Sequence, residues 1–291
     1  MKLNPQCLEC QIRKHESKIS HFDDESRKKE YMETVLSRFE HFREEDCVPS
    51  ISVELKKYFC DFWNIPADDF REINREFNQL MLSIENELLS EIESSEDPLY
   101  AALVYARIGN YIDFAAIPDV NKETALSLIR SEQKDALDEK EYETFCRELE
   151  NAHSFLYITD NCGEIVLDKL AIKILKQRFP QLEITVLVRG LPAGNDATME
   201  DAVMCGLTDL VPVIGNGSDV GGTWIHGINQ TSRNLLYHAD VILAKGQGNY
   251  ETLHGCGLNI YYLFLCKCDF FLKTFNAKPL QGMFLNETRT P

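Results

Sequence analysis

The hydrophobic periodicity of this 291-residue chain changes near residue 153, and this change constrains the fold more than any other feature. Before it, apolar residues recur at helical spacing, as in Tyr31, Val35 and Phe39. After it, short apolar runs rich in β-branched and aromatic residues alternate with helical stretches. Helical spacing followed by βα alternation predicts a helical region and then a parallel, doubly wound sheet.

The first part of the chain is expected to form about six or seven helices. The segments with helical spacing are 24–45, 70–94, 98–115, 121–131 and 139–152. The boundary near residue 150 is a charged segment without a flexible linker. We therefore expect a helical bundle or cap domain, residues 1–150, packed rigidly on an α/β domain, residues 151–291.

The second part is expected to contain five strands and four helices. The strands are predicted at 153–159, 182–188, 210–214, 240–244 and 259–266, and the helices at 164–178, 198–206, 230–238 and shortly after Asn249. Such alternation indicates right-handed crossovers between neighbouring parallel strands. The predicted fold is a helical N-terminal domain packed on a three-layer α/β/α Rossmann-like domain with a mainly parallel sheet.

The charge of the chain limits its partners. Its net charge is −17, from 30 basic and 47 acidic residues, which disfavours nucleic acid and anionic membranes. No apolar run reaches the roughly 18–20 residues that span a bilayer, and the N-terminus has no apolar signal segment. We expect a cytoplasmic protein, and one that binds a small molecule, with a homo-oligomer left open. An anionic ligand would need local positive charge.

Acidic, amide or basic candidate residues follow three of the predicted strands. Asp160 and Asn161 follow the first strand, Asp196 comes after the second, and Lys245 follows the fourth. Because the carboxyl ends of parallel strands meet at one edge of a sheet, these side chains are expected to share a cleft. Two carboxylates and an amide suit Mg²⁺ or Mn²⁺, and a lysine neutralises a phosphoryl oxygen.

Glycines in the same loops allow the backbone to approach a phosphate. They are Gly246 and Gly248 after the fourth strand and those of the loop 215–222 after the third. Each signal also has a simpler explanation, because Asp160 or Asn161 could cap the next helix and Lys245 could be a solvated charge. Their convergence favours a metal-dependent phosphate site. The usual nucleotide-binding and nucleophile-elbow motifs are absent from the sequence.

At these residues the chain resembles the damage-control phosphatases, also known as domain of unknown function 89. The matching motifs are Asp160-Asn161-x-Gly163-Glu164-x-x-x-Asp168, Arg189-Gly190-x-Pro192-x-x-Asn195-Asp196-x-Thr198-x-x-Asp201-Ala202, Asp240-x-x-x-x-Lys245-Gly246-x-Gly248-Asn249-Tyr250-Glu251 and Gly109-Asn110-x-x-Asp113. They span most of the chain. The N-terminal Cys7-x-x-Cys10 is similar to the subgroup found in archaea and bacteria.

The resemblance implies roles for particular residues. Asp160, Asn161 and Asp196 would ligate a divalent metal, Lys245 would hold the phosphate, and Asp160, Asp196 and Lys245 would be the catalytic residues. Asn110 and Asp113 would reach in from the helical part and help close the pocket. The substrate would also contact Gly163, Glu164, Arg189, Gly246 and Asn249.

The expected function is hydrolysis of small phosphorylated metabolites, such as sugar phosphates or damaged phosphometabolites, with Mn²⁺, Co²⁺, Ni²⁺ or Mg²⁺. Attack by water and an aspartyl-phosphate intermediate remain alternatives. Two other functions compete, namely an S-adenosylmethionine-dependent carboxyl methyltransferase and a non-catalytic phosphometabolite-binding protein. The first is disfavoured because no glycine-rich loop follows the first strand.

Ten cysteines in a chain of this kind indicate thiols rather than a disulfide framework. Two local pairs stand out, Cys7 with Cys10 and Cys266 with Cys268. They could bind a metal or act in redox chemistry, but ordinary buried thiols are the favoured interpretation.

Overall fold

The computed structural model of the chain describes residues 3–109, 122–131 and 136–290. Its N-terminal half is helical, as the periodicity predicts. The helices are α1 (Pro5–Ile19), α2 (Glu25–Glu40), α3 (Val48–Trp63), α4 (Arg71–Glu93), α5 (Pro98–Ile108), α6 (Lys122–Ser131) and α7 (Glu139–Asn151). Acidic or amide side chains cap several of them, since Asn4, Asp24, Asp97 and Asp138 each accept a hydrogen bond from a first-turn N–H.

The second half alternates strands and helices. The strands are β1 (Ser154–Ile158), β2 (Glu183–Val188), β3 (Val213–Gly215), β4 (Val241–Lys245), β5 (Ile260–Leu265) and β6 (Gly282–Asn286). The helices are α8 (Glu164–Arg178), α9 (Met199–Met204), α10 (Gln230–His238), α11 (Gln247–Leu253) and α12 (Asp269–Thr274). The strand order is β3-β2-β1-β4-β5-β6, with the first five parallel and β6 antiparallel to β5.

Helices cover both faces of the sheet. Alternate β1 residues divide between two cores: Phe155 and Tyr157 pack with α4, α5, α7 and α8, whereas Leu156 and Ile158 pack with α10, α11 and α12. This burial on both faces explains why the strand sequence is almost wholly apolar. Helices α1, α2 and α3 have a separate small core, formed by Ile19, Tyr31, Val35, Phe39, Ile51 and Leu55.

The structure confirms the predicted fold class, a helical region packed on a mostly parallel α/β/α sheet. Three details of the prediction differ from the structure. Strand β6 and helix α12 were not predicted, and β3 begins at Val213 because Leu210 and Val211 hydrogen-bond back to Leu207 in a turn. The boundary at residue 150 stays a prediction; one core continues across it, from Leu149 to Phe155. No helix in the described ranges has the length and hydropathy needed to cross a membrane.

Candidate active site

The candidate site lies where the strand order reverses. β1 pairs with β2 on one side and with β4 on the other, and the chain continues outward in both directions. In open α/β sheets the crevice at this reversal, beyond the carboxyl ends of the strands, is the usual ligand site. Here Asp160 follows β1 and Gly246 follows β4. A cavity of about 1840 Å³ opens at this edge and is lined by Asp160, Asn161 and Asp196, among others.

Asp160 lies directly against the backbone of Gly246. A Cβ atom at residue 246 would lie 1.9 Å from Oδ2 of Asp160, so only glycine allows this approach. Gly246 also has φ +79°, a conformation that glycine adopts without strain. Burial raises the pKa of Asp160 to about 8, with further contributions from the charges of Asp196 and Glu164. The negative charge of Asp160 is thus destabilised by burial and by two neighbouring acids.

The loop after β2 brings Asp196 beside Asp160. The N–H of Ala197 donates to the carbonyl oxygen of Asp160 at 2.7 Å, and the N–H of Cys162 donates to that of Asn195 at 2.8 Å. Residues 161 and 196 form an antiparallel bridge between these hydrogen bonds. Burial raises the pKa of Asp196 as well. Two carboxylates from different strand ends therefore meet at the cavity wall.

Arg189 lies behind both carboxylates and is fully buried. Its Nε donates to Oδ2 of Asp196 at 2.5 Å, and its Nη2 lies 3.7 Å from Oδ1 of Asp160. Within the described part of the chain, Nη2 has no hydrogen-bond partner. The N–H of Gly222 also donates to Asp196, at 3.3 Å. Arg189 thus orients the acids from beneath. Its predicted contact with substrate stays a prediction.

The side chain of Asn161 joins Asp160 to helix α8. Its Nδ2 donates to Oδ2 of Asp160 at 2.9 Å and to Oε2 of Glu164 at 3.2 Å. Gly163, with φ +75°, is the residue before α8. The bend there turns the chain from β1 into the helix and brings Glu164 beneath Asn161.

Lys245 and its partners form a buried ionic cluster next to these acids. The Nζ of Lys245 donates to Oε1 of Glu164 at 2.6 Å, to Oδ1 of Asp168 at 2.8 Å and to the carbonyl oxygen of Ala106 at 2.7 Å. Lys245, Glu164 and Asp168 each have 0% side-chain exposure. Burial opposes the charge of Lys245, but the two carboxylates outweigh it and raise its pKa.

The cluster joins β4 to α8 and to the end of α5. Lys245 is absent from the cavity wall, whereas the sequence predicted that it would hold the phosphate. That role stays a prediction, because the ammonium group is engaged by three oxygens below the cavity. Burial also raises the pKa of Asp168, to about 6.

Asn249 is fully buried and binds backbone rather than the cavity. Its Nδ2 donates to the carbonyl oxygens of Thr159 and Lys245 at 3.1 and 2.6 Å. The hydroxyl of Thr223 donates to its Oδ1 at 2.8 Å. Asn249 therefore ties the ends of β1 and β4 to the glycine-rich loop, and its predicted contact with substrate stays a prediction.

The predicted residues Asn110 and Asp113 lie outside the described residues. The described end of α5 does reach the site, because a Cβ atom at Gly109 would lie 2.8 Å from Cγ of Glu164. The helical region therefore contacts the first turn of α8 at the position that the motif indicates.

Two asparagines on α4 also support the site, and neither was predicted from the sequence. Oδ1 of Asn78 accepts the N–H of Gly163 at 2.7 Å, and its Nδ2 donates to Oδ1 of Asp201 at 2.7 Å. Nδ2 of Asn74 donates to the carbonyl oxygen of Gly194 at 3.2 Å. The two asparagines are four residues apart on an otherwise apolar helix face, which was the available signal.

Lys267 is an exposed cation on the cavity wall that was also not predicted from the sequence. It lines the same cavity as Asp160, and its positive charge acts to lower the pKa of that carboxyl group. No positional signal marks Lys267 in the sequence, because it lies beyond β5 and reaches this edge only through the tertiary fold.

A metal ion at this site would depend on a mixed donor set. No cluster of three or more His, Cys, Asp or Glu side chains within the described ranges has the arrangement of a metal site. The candidate ligands are two carboxylates, Asp160 and Asp196, with the amide of Asn161.

All ten cysteines are free thiols. Cys7 lies near Cys10 and Cys268, and burial raises the pKa of the Cys7 thiol.

A doubly wound sheet with paired acids at its switch point defines the class of the protein, an α/β protein with a polar cleft at the carboxyl ends of its strands. Comparison with known proteins then gives the family. Residues 3–279 match the model of the damage-control phosphatase ARMT1-like domain. The chain belongs to this family.

Three relatives show how far the similarity extends. A damage-control phosphatase from Archaeoglobus fulgidus is 26% identical over 274 residues, which cover 92% of this chain and 93% of the relative. An uncharacterised protein from Methanocaldococcus jannaschii is 27% identical over 281 residues, covering 92% and 90%. A damage-control phosphatase from Pyrococcus horikoshii is 34% identical over 171 residues, covering 57% and 58%.

The fold is also that of a solved structure. The crystal structure of a DUF89 family protein from Pyrococcus horikoshii aligns with a TM-score of 0.76 and 25% identity, covering 99% of each chain. The similarity in fold therefore includes both the helical region and the sheet.

Proposed function

We propose that this protein is a divalent-metal-dependent phosphatase that hydrolyses small phosphorylated metabolites, such as sugar phosphates or damaged phosphometabolites. The observation that carries the proposal is the pair of carboxylates, Asp160 and Asp196, which meet at the switch point and face a large cavity. Membership of the damage-control phosphatase family supports the reaction class.

The donor set fits a hard divalent cation. Two buried carboxylates side by side repel each other, and Asp160 has its pKa raised to about 8. A cation at the cavity wall would relieve this repulsion. Asp160, Asp196 and the amide oxygen of Asn161 would hold it, since carboxylate and amide oxygens suit Mg²⁺ or Mn²⁺. When bound, the ion would supply Lewis-acid stabilisation of charge on the phosphoryl group.

The chain's own residues would position the reaction. Arg189 and the N–H of Gly222 hold the carboxylate of Asp196, and Gly246 leaves room for that of Asp160. Lys267 would attract the phosphate, because it is exposed on the cavity wall. Glu164 accepts hydrogen bonds from both Lys245 and Asn161. The buried ionic cluster would therefore hold Asn161, a predicted metal ligand, in position.

The test is hydrolysis of p-nitrophenyl phosphate with Mn²⁺, Co²⁺, Ni²⁺ or Mg²⁺, before and after chelation. We expect activity that chelation removes and that Asp160→Asn and Asp196→Asn each reduce by at least roughly 100-fold. Asp209→Asn is the matched control, because Asp209 is exposed and lies away from the cavity wall.

Activity that survives chelation would contradict metal dependence. The absence of hydrolysis with every metal and across a panel of phosphorylated metabolites would contradict the phosphatase proposal. Calorimetry with S-adenosylmethionine and with phosphometabolites would then distinguish a methyltransferase from a non-catalytic binding protein.

A further inference from the structure

The cavity at the site is larger than a small phosphate ester requires. Its volume is about 1840 Å³, whereas pockets of roughly 300–1,000 Å³ enclose a drug-sized ligand. The strand-end loops form one part of its wall, with Asp160 and Asp196. Helices α1 and α3 form another part, with Lys14, Lys18 and Lys56. A ligand bound at the acids would therefore have space to extend towards the three lysines.

The three lysines lie close enough together to influence one another. Burial lowers the pKa of Lys18, and the charges of Lys14 and Lys56 lower it further. The ammonium group of Lys18 also lies 5.3 Å from the centre of the Phe59 ring. They form a concentration of positive charge in a chain whose net charge is −17.

This charge is only partly neutralised. Lys56 lies 3.5 Å from Asp68, which also lines the cavity. Within the part of the chain that the structure describes, Lys14 and Lys18 form no ion pair within 4.0 Å. Grouping like charges is unfavourable unless an anion binds there. The charge of Asp68 acts on Lys18, and the charge of Lys14 acts on Glu251, but no described carboxylate lies within 4.0 Å of either ammonium group.

We propose, on the basis of the proposed function, that the preferred substrates are phosphomonoesters with a second anionic group at the far end, bound by Lys14, Lys18 and Lys56. The phosphate that is hydrolysed lies at Asp160 and Asp196, and the second group, a carboxylate or another phosphate, lies against α1 and α3. Charge at the far end thus selects the substrate, and the cavity accommodates the organic part between the two sites.

Calorimetry with hexylphosphonate and hexane bisphosphonate, in buffer with Mg²⁺, tests this inference. Neither compound can be hydrolysed, so the result is independent of turnover. We expect wild-type protein to bind the bisphosphonate at least about 10-fold more tightly, and the preference to weaken at high salt. Lys14→Ala/Lys18→Ala/Lys56→Ala should lose the preference, and the corresponding triple arginine variant should keep it.

Lys29→Ala is the matched control and should keep the preference, because Lys29 pairs with Glu33 on α2 and does not line the cavity. Circular dichroism verifies the fold of each variant. Equal affinities for the two compounds, no binding of either, or a preference that survives in the triple alanine variant would overturn the inference. If no metal and no phosphorylated metabolite gave hydrolysis while the preference for the bisphosphonate persisted, the phosphatase proposal would fail and the second anion site would stand.

Discussion

Replacement of Lys245 by methionine tests whether this residue stabilises the site from within. The side chain has 0% exposure and donates to three oxygens at 2.6–2.8 Å. Methionine has a similar volume but no charge, so that Glu164 and Asp168 would lose the buried ammonium group that donates to both. Breaking a buried ion pair in this way costs about 3–5 kcal/mol, and we expect the free energy of unfolding to fall by this amount.

The loss should depend on pH in a particular direction. With Lys245 present, burial raises the pKa of Asp168 to about 6, against the lowering effect of the Lys245 charge. Without Lys245 the carboxyl of Asp168 would stay protonated in the folded state to still higher pH, well above the pH at which it ionises in the unfolded chain. Such a group contributes less stability as pH rises, by about 1.4 kcal/mol per pH unit while it is held protonated. Urea unfolding of wild type and variant between about pH 5 and pH 8 measures this difference.

The control is Lys245→Met/Glu164→Gln/Asp168→Asn, which removes all three charges and should recover much of the stability. If Lys245→Met unfolded like wild type throughout the pH range, the buried ion pairs of Lys245 would not stabilise the protein. If that variant were stable but no longer bound inorganic phosphate, Lys245 would instead contact the phosphate directly, as the sequence motif implies.

Three other variants test separate parts of the structure. Gly246→Ala should lower kcat/KM roughly 100-fold, because the added Cβ would displace Asp160. Gly255→Ala is the control, because Gly255 also has a positive φ, +91°, but a Cβ there would have no atom within 4 Å. Equal losses of kcat/KM in the two variants would contradict a specific effect of the contact with Asp160. Burial lowers the pKa of His15 to about 4. Stability should therefore be complete above about pH 6.5 and fall by about 2–3 kcal/mol towards pH 4, a dependence that unfolding measurements should not find in His15→Gln. Asn78→Ala should lower the free energy of unfolding by about 1–3 kcal/mol, since the N–H of Gly163 loses its acceptor. The exposed control Asn86→Ala should change it by less than about 0.5 kcal/mol, and a similar loss in both variants would count against the role of Asn78.

The sequence was sufficient to predict the elements whose periodicity is local. Helix α8 was predicted at its observed bounds, Glu164–Arg178, and the apolar run before Asp160 was correctly identified as a central strand. Strand β6 was not predicted because it depends on antiparallel pairing with β5. The segment that connects the two strands contains helix α12. Such pairing depends on tertiary contacts, which periodicity does not encode.

The orientation of the buried charged side chains was the least predictable part of the site. Lys245 at a strand end suggests a ligand contact, but its side chain turns towards α8. The available signal was the spacing of Glu164 and Asp168, which are four residues apart and therefore lie on one helix face. Both carboxylates accept a hydrogen bond from Lys245. Lys267 depended wholly on the fold, because nothing near it in the sequence links it to Asp160.

The most direct test of the account is anomalous diffraction from crystals grown with Mn²⁺. We predict a peak in coordination with the carboxylates of Asp160 and Asp196, and its loss in crystals of Asp160→Asn. A wild-type structure without a peak at these two residues, in a protein that hydrolyses phosphate esters with Mn²⁺, would contradict the assignment of the site.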